Sequence, residues 1–139
     1  MALLALFARL ILGAYFLRAG IDKFIHHESV DIILANFHLS IADKTLPYDE
    51  LAVWLTAGLE VGGGVALVIG YATRLAALLF AGFTVAVSVV LYHFWNAPPE
   101  IAPAALTLFM KNMTTLAALL LLMGFGAGPI SYDARNGLK

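Results

Sequence analysis

Cysteine is absent from the chain, which excludes disulfides, thiolate metal sites and thiol–disulfide relays carried by this protein itself. Charge is scarce as well: charged residues make up 12%, against about 25% in soluble domains. The net charge is −1, and with no Lys/Arg cluster present there is no footprint for nucleic acid. A GxGxxG fingerprint is missing, and no flavin or iron–sulfur motif stands in its place. The three other histidines, His26, His27 and His38, form no metal-ligand pattern with neighbouring carboxylates, so no metal site is expected.

What fills the chain instead is hydrocarbon. Hydrophobic residues reach 62% and the mean hydropathy is +0.91. Four apolar stretches, 2–25, 51–70, 75–95 and 103–125, each approach the ~20 residues a helix needs to cross a bilayer. The expectation is an all-α, integral membrane four-helix bundle with antiparallel transmembrane helices, forming a single domain over residues 1–139. The first stretch is too long for a signal-peptide core and is interrupted by Arg9, so it reads as a retained span that also targets the chain. No second, soluble domain is expected.

The connections are unequal. Residues 26–50 carry Glu28, Asp31, Asp43, Asp49 and Glu50 against Lys44, and residues 30–39 have the helical apolar spacing of a segment lying on the membrane surface. Tyr71 to Arg74 form a tight turn, and the prolines around residue 100 stop one helix and start the next. Basic residues near the span ends are nearly balanced across the bilayer. Termini inside would place Arg74, Arg135 and Lys139 in the cytoplasm, and this is the orientation expected. Tyr48, Trp54, Tyr92 and Trp95 then gather at the outer interface, where amphipathic rings settle.

Ionisable groups inside the stretches are where function must be sought, because hydrocarbon retains them only when paired, turned inward or used. Arg9, Gly13, Phe16, Gly20 and Lys23 share one face of the first helix. Its glycines permit close approach of a neighbour. In the second stretch Gly58, Gly62, Ala66 and Gly70 recur at i+4, a seam of small residues suited to tight helix contact. Glu60 lies off that seam. Counted at ~1.5 Å per residue from the cytoplasmic ends, Arg9 and Glu60 come to similar depths, so they are expected to form an intramembrane polar network. That pair could be a structural clamp or a functional site. Lys23, His93, Lys111 and Asn112 fall toward the outer half and could line one polar pocket; His93 could equally be an interfacial hydrogen-bonder. Arg18 and Asp22, four apart on a different face, can pair with each other and offer a contact to a protein partner or a second copy of the chain.

These residues together resemble the DoxX family of membrane proteins. The likeness is carried by Arg9-Leu-Ile-Leu-Gly-Ala-Tyr-Phe-Leu-Arg-Ala-Gly-Ile-Asp-Lys-Phe24, Gly58-Leu-Glu-Val-Gly-Gly-Gly64, Thr73-Arg-Leu-Ala-Ala77 and His93-Phe-Trp95. Lys111-Asn112 and Gly126-Ala-Gly-Pro-Ile-Ser-Tyr-Asp133 follow in the same order. The resemblance implies a four-helix protein of the bacterial inner membrane. Family members are commonly linked to membrane oxidoreductase complexes, including quinone-coupled sulfur or thiol oxidation, and to oxidative-stress protection. Arg9, Lys23, Glu60, Arg74, His93, Lys111 and Asn112 match the family's polar pattern, whereas Arg18 and the acidic loop with His26 and His27 depart from it. The implied role is a small subunit of a quinone-linked oxidoreductase, binding quinone or a similar polar ligand while a partner supplies the redox centre. A non-enzymatic scaffold and a small transporter or lipid-binding protein are the other readings.

Overall fold

A computed structural model describes residues 2–26 and 48–137, the side chains of 48–52 excepted. Every regular element among the described residues is helical: α1 (Ala2–Ile25), α2 (Tyr48–Ile69), α3 (Thr73–Leu91), a 3-10 turn (Phe94–Asn96), α4 (Ala102–Phe125) and the short α5 (Tyr132–Arg135). The amphipathic stretch at 30–39, with His27 and His38, lies outside the described residues. Ala2–Ile25, Thr73–Asn96 and Ala102–Phe125 are long and apolar enough to cross a membrane, whereas α2 contributes the shorter apolar run Val53–Ile69. Large apolar side chains point outward: Ile11 is 69% exposed, Leu55 65% and Leu121 61%. Water would oppose exposure on that scale, and lipid would not.

Packing is strongest between α1 and α2 and between α3 and α4, with sparser contact between the two pairs. Glycine sets the first of these contacts. A Cβ on Gly13 would stand 2.9 Å from the Gly64 carbonyl oxygen, and one on Gly20 2.9 Å from that of Ala57. The face of α1 read from its sequence is the buried one, for Arg9, Gly13, Phe16 and Gly20 are all buried. On α2 the sequence reading needs correction. Gly58 and Gly62 have no atoms near their missing Cβ, and α1 instead meets Ala57, Val61, Gly64 and Val68. Tight approach selects the glycines that face a neighbouring backbone, and periodic spacing alone does not identify them. Gly63 serves a different contact: its missing Cβ leaves room for the Phe80 ring, 2.6 Å away. Phe80 then stacks on Phe16 with centroids 3.7 Å apart, tying α3 to α1.

At one end the chain closes on itself. α2 stops at Gly70 (φ 72°), where the Tyr71 N–H donates to the Ala66 carbonyl and the Gly70 N–H to that of Leu67. This is the hydrogen-bond pattern of a Schellman ending. α3 begins immediately, and its first N–H groups need acceptors that Ala72 lacks. They come from the far end of the chain: the Asp133 carboxylate accepts from Ala72 N at 2.7 Å and Thr73 N at 2.9 Å. Asp133 N–H in turn donates to the Gly70 carbonyl at 2.9 Å.

Two sets of substitutions distinguish the contacting glycines from the open ones. Gly13→Ala and Gly64→Ala should lower the unfolding temperature in detergent. Gly58→Ala and Gly62→Ala should hold or raise it, since Ala is favoured over Gly in a helix by about 1 kcal/mol. Thermal denaturation followed by circular dichroism is the measurement.

Candidate functional site

The opposite end is open. Between the α1–α2 pair and the α3–α4 pair lies a cavity of about 630 Å³ to which all four long helices contribute. Its size falls within the ~300–1,000 Å³ of small-molecule sites. Much of its wall is apolar, with Phe16, Val53, Phe83, Val87, Leu91 and Leu108 among the lining residues. The polar groups are few and specific.

Lys23 and Glu60 form an ion pair in that wall, the Lys23 ammonium donating to Glu60 Oε2. The Glu60 side chain is 5% exposed and that of Lys23 23%. α1 presents Lys23 one turn beyond Gly20, and the close approach at Gly20 brings the α2 backbone within reach of the lysine stem. Across the cavity, α4 contributes Lys111, Asn112 and Thr115, α3 contributes Thr84, and Tyr92 follows from just past the end of α3. The Lys111 ammonium sits 5.4 Å from the centre of the Tyr15 ring, a cation–π contact. Lys111 has no carboxylate within salt-bridge distance among the described residues.

Three of the four residues expected in an outer pocket, Lys23, Lys111 and Asn112, do line one cavity. His93 does not. Its Nδ1 lies 2.9 Å from the Val90 carbonyl oxygen, and its ring neighbours Trp95. Helix α3 has already ended at Leu91, so the helical face projected through residue 93 no longer exists there. The positions of α3 one and two turns before residue 93, Val89 and Ala86, are exposed, while Thr84 and Ser88 are the buried ones.

Glu60 and Arg9 do not pair with each other. The contacts at Gly13 and Gly20 set α1 against α2 so that Arg9 falls opposite Gly70, ten positions from Glu60, or ~15 Å along the helix. Counting from the cytoplasmic ends missed this offset, because α1 starts at Ala2, a run of residues before Arg9, whereas α2 ends level with Arg9 itself. Arg9 is 1% exposed and donates from Nη2 to the Ile130 carbonyl at 2.7 Å. Its guanidinium fills the space a Cβ at Gly70 would need, with Nη1 only 1.7 Å from that position. Arg9 is thus a structural group at the closed end. The signal for it lay in the tail, where Gly126, Gly128 and Gly137 flank Ser131 and Asp133, but glycine and serine at a chain end carry no periodicity to read. Arg18 and Asp22 do meet, Nε to Oδ2 at 3.5 Å, with side chains 85% and 57% exposed on the outside of α1.

A buried lysine–carboxylate pair, a second lysine without a carboxylate and an apolar chamber can together hold an amphiphile by its head. Comparison with known proteins puts this geometry in a family. The DoxX family profile matches residues 4–93. The chain belongs to the DoxX family. Among its relatives are the inner membrane protein YphA of Escherichia coli K12, 28% identical over 95% of this chain and 89% of that protein. Another is the inner membrane protein YqjF of the same organism, 32% identical over 92% of this chain and 88% of that protein. No solved structure matches. Within this DoxX protein the profile covers the helices that carry Lys23 and Glu60, and the two relatives extend the likeness across most of the chain.

Loss of one partner from the Lys23–Glu60 pair would leave a charge in the wall, which costs about 3–5 kcal/mol at fully buried sites and less here, since Lys23 is partly exposed. Glu60→Gln and Lys23→Met should each destabilise the protein, and the double variant should lose much less than their sum. Glu60→Gln combined with Arg9→Gln should instead be additive, as expected for groups that share no partner. Denaturation midpoints for the two cycles provide the check.

Proposed function

We propose that this DoxX protein is a multi-pass protein of the bacterial inner membrane, an antiparallel four-helix bundle with cytoplasmic termini. In this reading it serves as a small subunit of a quinone-linked oxidoreductase or redox-stress complex. The cavity receives the headgroup of a quinone-like amphiphile, and its apolar tail lies along Phe83, Val87 and Leu108. Electrons come from a redox centre on a partner, since the sequence offers no motif for one.

The observation that carries this reading is the chamber itself: apolar walls with a few convergent polar groups, open at the end away from the Arg9 closure. Quinones need that combination, because their carbonyl oxygens accept hydrogen bonds while their isoprenoid chains seek hydrocarbon. Lys111, Asn112 and the Lys23 ammonium are the donors within the chamber. The names of the E. coli relatives support the inner-membrane placement, and Arg74 and Arg135 at the closed end support its cytoplasmic side.

The exposed Arg18–Asp22 pair favours a second reading that is compatible with the first: a contact with a partner protein. An ion pair facing outward from a span is costly in lipid and less so against a polar surface. Replacing both residues should release the partner while leaving the bundle folded; a complex that survives removes this interface.

The test of the principal reading is native mass spectrometry of the protein extracted into lipid nanodiscs, with a cavity-filling Ala19→Trp variant alongside. The wild type should retain quinone and the variant should lose it at least tenfold. Copurification with bulk lipid alone, or equal quinone in both, would overturn the assignment.

A further inference from the structure

Among the described residues, the charges around the chamber do not pair off completely. On α1, Lys23 is matched by Glu60 of α2, and Asp22 at the rim is matched by Arg18. On α4, Lys111, which is exposed and lines the same chamber, has no anionic partner among the described residues. Among the described residues its side chain contacts the Tyr15 ring across the chamber. Lysines near span ends ordinarily snorkel toward the headgroups along their own helix. Here the ammonium reaches sideways to α1, from a position ~14 Å inside the start of α4.

The neighbours of Lys111 are also unsatisfied. Asn112 is 9% exposed, and its amide makes no hydrogen bond among the described residues, although an amide can donate two and accept two. The Thr84 hydroxyl, on a residue 5% exposed, makes none either. The polar atoms of both side chains keep access to the chamber, so their hydrogen bonds are available to whatever occupies it.

We propose that Lys111 and Asn112 make the chamber selective for an oxyanion carried on an apolar tail. This rests on the reading that the chamber takes an amphiphile, and it names the headgroup: one negative charge, with oxygen accepting from the Lys111 ammonium and the Asn112 amide. Such a ligand neutralises the surplus charge that a neutral quinone would leave in place. An acidic hydroxyquinone and a fatty carboxylate share this chemistry. A free inorganic anion lacks the tail that the apolar wall requires.

The experiment compares two ligands that differ by one group, in phosphatidylcholine nanodiscs at pH 8. One is a 3-alkyl-2-hydroxy-1,4-naphthoquinone, anionic at that pH; the other is the same molecule without the hydroxyl, which is neutral. The anionic member should bind at least tenfold more tightly to the wild-type protein. That advantage should vanish in Lys111→Gln and survive in Lys111→Arg, and Asn112→Leu should reduce it. Lys111 anchors nothing in the fold beyond the Tyr15 contact, so both variants are expected to unfold at the wild-type temperature. Displacement by oleate would place fatty carboxylates among the ligands; displacement failing would restrict the site to acidic quinones. Equal affinity for the two naphthoquinones, or an advantage that persists in Lys111→Gln, overturns the oxyanion proposal and leaves the amphiphile reading standing. Binding of neither compound overturns both.

Discussion

Arg9 is the group on which the rest of this structure depends. A guanidinium placed within a membrane helix must find acceptors inside the protein, since hydrocarbon offers none. It finds the Ile130 carbonyl, and to reach it the chain past α4 has to fold back across the start of α1. That return brings Asp133 to the first N–H groups of α3. The carboxylate thereby caps a helix start, where negative charge is favoured. Gly70 makes the arrangement possible twice over, by its positive φ at the end of α2 and by the absence of a Cβ where the guanidinium lies. One cation thus joins α1, the α2–α3 turn and the tail.

Closure at that end explains openness at the other. The α1–α2 pair is held by glycine contacts along much of its length, and the Phe16–Phe80 stack joins the two pairs near their middle. Beyond Phe16, toward Lys23 and Tyr92, the pairs diverge around the chamber. Stability and ligand access are therefore separated along the helix axis. Such a division lets the open end carry poorly satisfied polar groups without unravelling the helices that present them.

The sequence disclosed the helices and the buried face of α1, because apolar length and a 3.6-residue period are local properties. It disclosed that Lys23, Lys111 and Asn112 belong to one half of the molecule for the same reason. It could not disclose who pairs with whom. Pairing across α1 and α2 depends on an axial offset set by which glycines meet backbone, and Gly64 and Gly58 look alike until a neighbour is in place. His93 was misplaced because a helix period was extended past the end of the helix. Asp133 went unnoticed because its partners, Ala72 and Thr73, lie some sixty residues earlier and are backbone groups with no side-chain signature.

The different treatment of its lysines is what most directly links this fold to a ligand. Lys23 and Lys111 both line the chamber, the first partly buried and the second exposed, and an ammonium beside apolar walls attracts a nearby negative charge more strongly than it would in bulk water. The protein supplies Glu60 to one and only an aromatic ring to the other. A chain that can place a carboxylate one helix away from Lys23 could do so for Lys111; α1 and α3 both pass close enough to carry it. Lys111 has Asn112 beside it in sequence and no carboxylate within salt-bridge distance among the described residues. On the proposed reading, that position in the chamber's charge balance belongs to a molecule that is not part of the chain, and the apolar wall around it favours one that arrives from the lipid phase.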